Sequence, residues 1–72
     1  MLNEDQEKGY RVGDRVKGKY SGQHPYTATV IAIAGSTQHY QLVMVQLDDP
    51  ISLPGQRVRR RLTVEASTLE KA

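Results

Sequence analysis

The richest run of chemically active side chains in the sequence is a cluster of arginines near the carboxyl end. Arg57, Arg59, Arg60 and Arg61 lie in segment 56–64, where apolar residues alternate with polar ones. Alternate residues of a strand share one face about 6.6 Å apart, so Arg57, Arg59 and Arg61 would span roughly 13 Å. A guanidinium group binds phosphate or carboxylate through two parallel hydrogen bonds. The spacing therefore predicts a ladder of cationic forks for a polyanionic partner.

A second basic row alternates in the same way on an earlier predicted strand. Its members are Arg15, Lys17 and Lys19. We interpret the two rows as a nucleic-acid-binding surface, with two alternatives: solvated faces that keep the protein soluble, or a surface for an acidic protein partner. Arg60 has the parity of the inward-facing residues. We expect either a β-bulge that turns it outward or an ion pair with Asp14 or Asp48.

Aromatic and histidine residues offer weaker signals. Tyr20 and Tyr26 bracket the loop of residues 21–25 and are candidates for a stacking platform, with core packing as the alternative because the chain contains no Phe or Trp. His24 and His39 lie in different loops, and neither has a Ser, Cys or Asp at a spacing that indicates a catalytic triad. We interpret both histidines as surface loop residues.

Catalytic and metal-binding signatures are scarce in the sequence. The Asp48-Asp49-Pro50 segment could supply carboxylates for acid–base chemistry or a cation, but this composition is first of all typical of a turn. There is no phosphate loop, and two histidines without Cys do not predict a zinc site. We therefore predict a protein that is not an enzyme and that uses neither cofactor nor metal.

Length and composition predict one small domain. A chain of 72 residues buries only about 60% of the surface that it exposes when unfolded, and it has no Cys for a disulfide. Residues 1–8 carry three acids and one Lys, so residues 9–72 carry nine basic residues against five acids. We predict a disordered tail over residues 1–9 and a folded domain over residues 10–72. Without a signal sequence or a long apolar run, a cytoplasmic location is expected.

Two apolar segments around a Gly-containing break, residues 26–34 and 40–47, predict the central β-hairpin. Both segments carry apolar residues on both faces, whereas a strand with one solvated face should alternate. The extra apolar residues are Ile31, Ile33, Leu42 and Met44. They predict either a sheet that bends over itself or an interface of a homo-oligomer.

The fold predicted from these elements is all-β. It is a small barrel of about five strongly bent antiparallel strands, with a turn inside the first strand at Gly13-Asp14 and a short 3₁₀ turn that brings Leu69 to the core. Val12-Gly13-Asp14-Arg15-Val16, together with the strand that begins at Tyr26, resembles the SH3-like barrels, a group that includes Tudor-like and KOW-like modules.

Within that group, three segments resemble the type II plasmid-encoded dihydrofolate reductases. They are Gly13-Asp14-Arg15-Val16, residues 26–32 and the ending Ser67-Thr68-Leu69-Glu70-Lys71. The resemblance implies a tetrameric pore that binds folate and a nicotinamide cofactor through a Val-Gln-Ile-Tyr segment. This chain has Arg61-Leu62-Thr63-Val64 at that place.

Three functions are therefore open from the sequence. The first is a non-catalytic small-barrel module that contacts nucleic acid through the basic strand face. The second is a protein-interaction or assembly module that uses the doubled apolar faces of the hairpin. The third is a reductase, for which the chain lacks the Val-Gln-Ile-Tyr segment of the plasmid-encoded family.

Overall fold

The computed structural model describes residues 9–72 as an antiparallel sheet with one 3₁₀ turn. The strands are β1 (Arg15–Tyr20), β2 (His24–Ser36), β3 (Gln41–Ile51), β4 (Arg59–Glu65) and β5 (Glu70–Lys71), and the 3₁₀ turn is Ala66–Thr68. In space the strands follow the order β4-β3-β2-β1-β5. The predicted antiparallel strands and the predicted 3₁₀ turn are confirmed.

The central hairpin joins β2 to β3 and contains two irregularities. Its register pairs Val30 with Val45 and Ala32 with Met44, so Ile31 is an extra residue in β2, and a second shift follows Ile33. An extra residue inverts the side-chain alternation of the strand that carries it. The apolar residues on both parities of β2 therefore arise from bulges within one strand. The strand itself keeps a single core-facing side.

The core covers one face of the sheet, which we call the inner face. The side chains of Val16, Val30, Val43 and Val45 are fully buried, and Leu69 reaches the same cluster from the segment after the 3₁₀ turn. Tyr26, Ala28 and Leu47 complete the buried set, and β4 adds the half-buried Leu62 and Val64. A core of small β-branched residues at alternate positions explains why these segments form strands and not helices.

The sheet does not close into a barrel, so the predicted closed SH3-like barrel is wrong. β4 pairs with β3, and β5 pairs with β1, which leaves β4 and β5 at opposite ends of the strand order. β5 contains only Glu70 and Lys71, and both residues pair with β1. Closure would require hydrogen bonds between the two end strands, and among the described residues β4 pairs only with β3 while β5 pairs only with β1, so the sheet stays open.

The segment before β1 is held by a turn and by one glutamine. Gly13 adopts a φ of 99°, which favours glycine, and its N–H donates to the Val30 carbonyl at 2.7 Å. The Gln41 side chain accepts from the Tyr10 N–H at 2.8 Å and donates to the Tyr10 carbonyl at 3.1 Å. The predicted bend at Gly13-Asp14 is thus present.

The predicted tail of residues 1–9 lies, apart from Gly9, outside the described residues. Over residues 9–72, no helix has both the length and the apolar character needed to span a bilayer.

Candidate functional site

The best-defined polar cluster lies on the outer face, opposite the core. Arg15 Nη1 donates to Asp48 Oδ1 at 2.7 Å, and Arg15 Nη2 donates to Asp48 Oδ2 at 2.5 Å. The Thr27 hydroxyl donates to Asp48 Oδ2 at 2.6 Å, while Arg15 also donates to Thr29 Oγ1 at 2.7 Å. This is a two-pronged ion pair that ties β1 to β3 across β2. Arg15 is therefore engaged within the protein and is not a free contact for a ligand.

The ion pair changes the acidity of its carboxylate. Hydrogen bonds from Arg15 and then from Thr27 hold the pKa of Asp48 well below its usual range, against the smaller opposing effect of burial. The same pairing raises the pKa of Arg15. Asp48 thus stays ionised over the whole physiological range, which suits a structural tie rather than a proton-transfer group.

We expect Asp48→Asn to destabilise the protein at neutral pH and much less in acid. A carboxylate whose pKa is depressed in the folded state stabilises the fold at pH values above its unfolded-state pKa of about 3.9, and this contribution is lost as the pH falls through the folded-state value. Urea midpoints of the two proteins, measured from pH 7 to pH 2, should therefore converge towards low pH. Asp49→Asn, the same charge change one residue on, is the control. A wild-type to Asp48→Asn difference that is constant from pH 7 to pH 2 would contradict the role of the ion pair.

The predicted arginine ladder is only partly on a strand. Arg59 and Arg61 lie on β4, opposite Ile51 and Gln46 respectively, while Arg57 precedes the strand. All of these arginines are exposed, as is Arg60. The β3–β4 pairing is irregular at Arg60. Arg61 pairs with Gln46 and Arg59 with Ile51, so residues 47–50 of β3 have no paired residues on β4. Arg60 is exposed and forms no ion pair with Asp14 or Asp48.

The two basic rows lie on one face but far apart. The register aligns Arg15, Thr29, Gln46 and Arg61 across four strands. Three strand spacings separate Arg15 from Arg61, which is about 14 Å. On β1, Lys17 lies 3.7 Å from Glu70, so Lys19 is the member of its row that has no carboxylate partner within residues 9–72. The rows do not merge into one continuous basic surface.

A groove of about 910 Å³ runs beside β1, and we call it the β1 groove. A volume in this range is typical of small-molecule sites. Its walls carry cations, carboxylates, hydroxyl groups and apolar surface together. The residues that form it are Lys17, Gly18, Lys19, Gly22, Pro25, Tyr26, Thr27, Asp49, Pro50, Ile51, Thr68 and Glu70.

Tyr26 lies over Gly18, its partner in the β1–β2 register. A Cβ atom at Gly18 would lie 2.8 Å from the Tyr26 hydroxyl oxygen, so the absence of a side chain there makes room for the phenol. The ring is buried, and burial raises the pKa of Tyr26, which keeps its hydroxyl protonated. That hydroxyl makes no hydrogen bond to any other residue in the 9–72 range, and Tyr26 borders the β1 groove.

The other predicted site residues are dispersed. Tyr20 is half-buried against the core, and its hydroxyl lies 3.5 Å from Gln56 Oε1. Of the proposed aromatic pair, Tyr26 borders the β1 groove and Tyr20 does not. His24 starts β2, whereas His39 lies in the loop of the hairpin. The two histidines thus belong to separate parts of the sheet.

The four residues predicted as an oligomer interface divide between the faces. Ile33 pairs with the buried Val43, so it lies on the inner face at the hairpin end, while Met44 belongs to the opposite parity with Leu42. Ile31 is the bulged residue. The structure therefore does not gather Ile31, Ile33, Leu42 and Met44 into one patch.

Across residues 9–72, no three His, Asp or Glu side chains are grouped so that they could hold a metal ion. A second groove, of about 920 Å³, has Tyr10, His39 and Gln41 among its walls. Gln41 is already bonded to the Tyr10 backbone, and the Tyr10 hydroxyl donates to the Leu69 carbonyl at 3.2 Å. The polar groups of this second groove thus serve mainly to hold the chain together.

Sequence reasoning missed Gly18, Thr27 and Glu70 as contributors to a site. Gly18 interrupts a predicted strand, and a glycine in that position often marks a close approach, so a signal was present. The role of Thr27 depends on its hydrogen bond to Asp48, and the role of Glu70 on its ion pair with Lys17. Both pairings depend on strand register, which the sequence pattern leaves open.

Comparison with known families decides the relationship. The family model of the glyoxalase superfamily protein matches residues 1–68 of the 72. The chain belongs to the glyoxalase superfamily. No curated protein and no solved structure matches it. The specific function of this superfamily member is not established by the match.

The family match corrects the interpretation drawn from sequence patterns. The resemblance to SH3-like, Tudor-like or KOW-like modules and to the plasmid-encoded reductases is wrong, because the superfamily model covers nearly the whole chain. The three functions predicted from the sequence, a nucleic-acid-binding module, an assembly module and a reductase, are likewise wrong. A short V-G-D-x-V opening recurs in unrelated β proteins, which explains the error. The expected cytoplasmic location and self-association stay predictions.

Proposed function

We propose that this glyoxalase superfamily member binds a small 2-oxo carboxylate in the β1 groove. The observation that carries the proposal is the Tyr26 hydroxyl, a protonated donor in the groove wall that has no hydrogen-bond partner within residues 9–72. No buried side-chain polar atom within residues 9–72 lacks a partner, so this unpaired hydroxyl is open to solvent and available to a ligand acceptor. The name of the family refers to glyoxalase, and a small carbonyl compound is in keeping with it.

The charges around the groove favour a small monoanion. Lys17 and Lys19 contribute two positive charges, and Asp49 and Glu70 contribute two negative ones. Because Glu70 lies 3.7 Å from Lys17, the ammonium of Lys19 is the better anchor for a carboxylate. A polyanion would be repelled by the carboxylates of Asp49 and Glu70, whereas a compact monoanion can contact Lys19 alone.

The remaining walls fit the rest of such a ligand. The Tyr26 hydroxyl would donate to the 2-oxo group, and Pro25, Pro50 and Ile51 offer apolar surface to a short alkyl chain. Neither His24 nor His39 borders the groove, and Asp48 is held by Arg15. We therefore propose binding without turnover, in line with the expectation that the protein is not an enzyme.

Pyruvate is the simplest probe of the proposed site. Titration of the ¹⁵N-labelled protein is expected to shift the amide signals of residues 17–19 and 26–27. Methyl pyruvate, which keeps the 2-oxo group but lacks the charge, should bind more weakly. Lys19→Met is expected to weaken pyruvate binding about fivefold, because an exposed charge pair contributes up to roughly 1 kcal/mol.

Tyr26→Phe should weaken pyruvate binding by a similar factor while preserving the ring that packs over Gly18, since one hydrogen bond contributes about 1 kcal/mol. Lys71→Met removes an equal charge outside the groove and is the matched control. Equal affinity for pyruvate and methyl pyruvate, or shifts confined to other residues, would refute the proposed site. Chemical conversion of pyruvate during the titration would refute binding without turnover.

A further inference from the structure

The free edge of β4 is the longest unpaired strand edge among the described residues. β4 ends the strand order and bonds only to β3, whereas the opposite end is the two-residue β5. The seven residues of β4 therefore present alternate N–H and C=O groups along one side without a partner strand in the range 9–72. Such an edge is a template for an additional strand.

The charge along this edge is strongly positive. Residues 57–65 contain four arginines and one acid, Glu65, and none of these arginines forms an ion pair within residues 9–72. The β1 side of the sheet differs, because Arg15 and Lys17 there have carboxylate partners. The β4 edge thus combines several exposed cationic side chains with a row of unpaired backbone groups.

We propose that the β4 edge binds an extended acidic peptide by adding it to the sheet as a sixth strand. Arg59 and Arg61 are alternate residues of β4, about 6.6 Å apart, which is the spacing of alternate residues on the incoming strand. Carboxylates at every second position of that strand would each meet one guanidinium, while backbone hydrogen bonds supply the pairing. A second copy of this chain would instead bring two segments of net charge +3 together.

The inner side of β4 indicates which residues should alternate with the acids in the bound peptide. Leu62 and Val64 are only half-buried, because no strand covers them beyond β4. Apolar side chains that alternate with the acids would extend the core over these two residues. The ligand class is therefore a segment in which Glu or Asp alternates with Val or Ile. None of the residues of β4 borders the β1 groove, so the proposal does not depend on the proposed pyruvate site.

A seven-residue fluorescent peptide of alternating Glu and Val is the probe, tested by fluorescence anisotropy with the full chain. A second peptide has the same side chains but carries N-methyl groups on the backbone nitrogens of its Glu residues, and a third carries them on its Val residues. On a strand, alternate N–H groups point to the same side, so one methylated peptide should lose binding and the other should retain it. Two methylated peptides that both bind like the parent would overturn strand addition.

The arginine contribution is tested with matched charge reversals. Arg59→Glu combined with Arg61→Glu is expected to weaken binding of the parent peptide about tenfold or more, given that two favourable charge pairs become repulsive. Arg11→Glu combined with Lys71→Glu, at two exposed basic residues outside β4, should change it by less than about twofold at 0.15 M salt. Equal losses in both variants would overturn the assignment to this edge, as would a parent peptide that does not bind.

Mapping and mass measurements complete the test. Amide signals of residues 59–65 should shift on addition of the parent peptide, and their exchange with solvent should slow. Shifts confined to β1 and β5 would overturn the proposal. Sedimentation should show one peptide on one protein chain. A protein that is already a dimer through β4 and excludes the peptide would assign this edge to a second copy instead.

Discussion

Replacing Val45 by Ala is expected to lower the free energy of unfolding by about 2 kcal/mol or more, the sum of two buried methyl groups and the cavity that they leave. Val45 is fully buried at the centre of the sheet, between Val30 on β2 and Leu62 on β4. A single core of this size rarely contributes more than about 3–5 kcal/mol of net stability. The substitution should therefore remove a large part of the total.

Urea denaturation followed by circular dichroism measures this loss. Gln46→Ala is the control, because Gln46 is the next residue of β3 and is exposed on the outer face. It should change the free energy of unfolding by no more than roughly 0.5 kcal/mol. Similar losses for Val45→Ala and Gln46→Ala would show that the inner face is not the core.

Replacing Gly18 by Ala is expected to destabilise the protein by about 1–3 kcal/mol, the usual cost of overpacking. A Cβ atom at this position would lie 2.8 Å from the Tyr26 hydroxyl oxygen and 3.0 Å from Leu69 Cδ2. Both neighbours belong to the core, so neither can move away without opening a gap elsewhere. The strain arises from contact rather than from the backbone, since the φ of Gly18 is not in the left-handed region.

A double-mutant cycle with Tyr26→Phe tests the contact directly. Removing the hydroxyl oxygen takes away the nearest clashing atom, so Gly18→Ala should cost less in the Tyr26→Phe background. Gly35→Ala is the matched control: Gly35 also lies in a strand, and its nearest neighbour to an added Cβ is Leu42 Cδ1 at 3.9 Å. An equal effect of the two Gly→Ala substitutions would contradict the close approach of Tyr26.

The strands and the core were accessible from the sequence because they depend on local patterns. Alternation along residues 26–34 and 40–47 predicts the hairpin, and Leu69 is correctly expected to reach the core after a short turn. The doubled apolar face of β2 was misread, because the extra residue at Ile31 inverts the alternation, whereas Leu42 and Met44 of β3 do have the opposite parity from the buried residues. Nothing in a list of apolar residues distinguishes a bulge from a second buried face.

The candidate site was less accessible, since it depends on register. Lys17 and Lys19 were selected as part of a basic row, but Arg15 in the same row is tied to Asp48, 33 residues later in the chain. The sequence pattern predicts Asp48 and Asp49 as turn formers. Their different roles, one in an ion pair and one in the groove wall, follow from the β2–β3 pairing.

By itself, the sequence determined an all-β chain of five antiparallel strands with an apolar inner side, because side-chain alternation is imposed by the geometry of each strand. Tertiary structure alone decided that the sheet stays open and that Arg15 forms an ion pair with Asp48. It also placed Tyr26 over Gly18, in the wall of the groove that Lys19 borders. These features depend on which strands become neighbours and in which register, and such contacts join residues far apart in the chain, which no local pattern records.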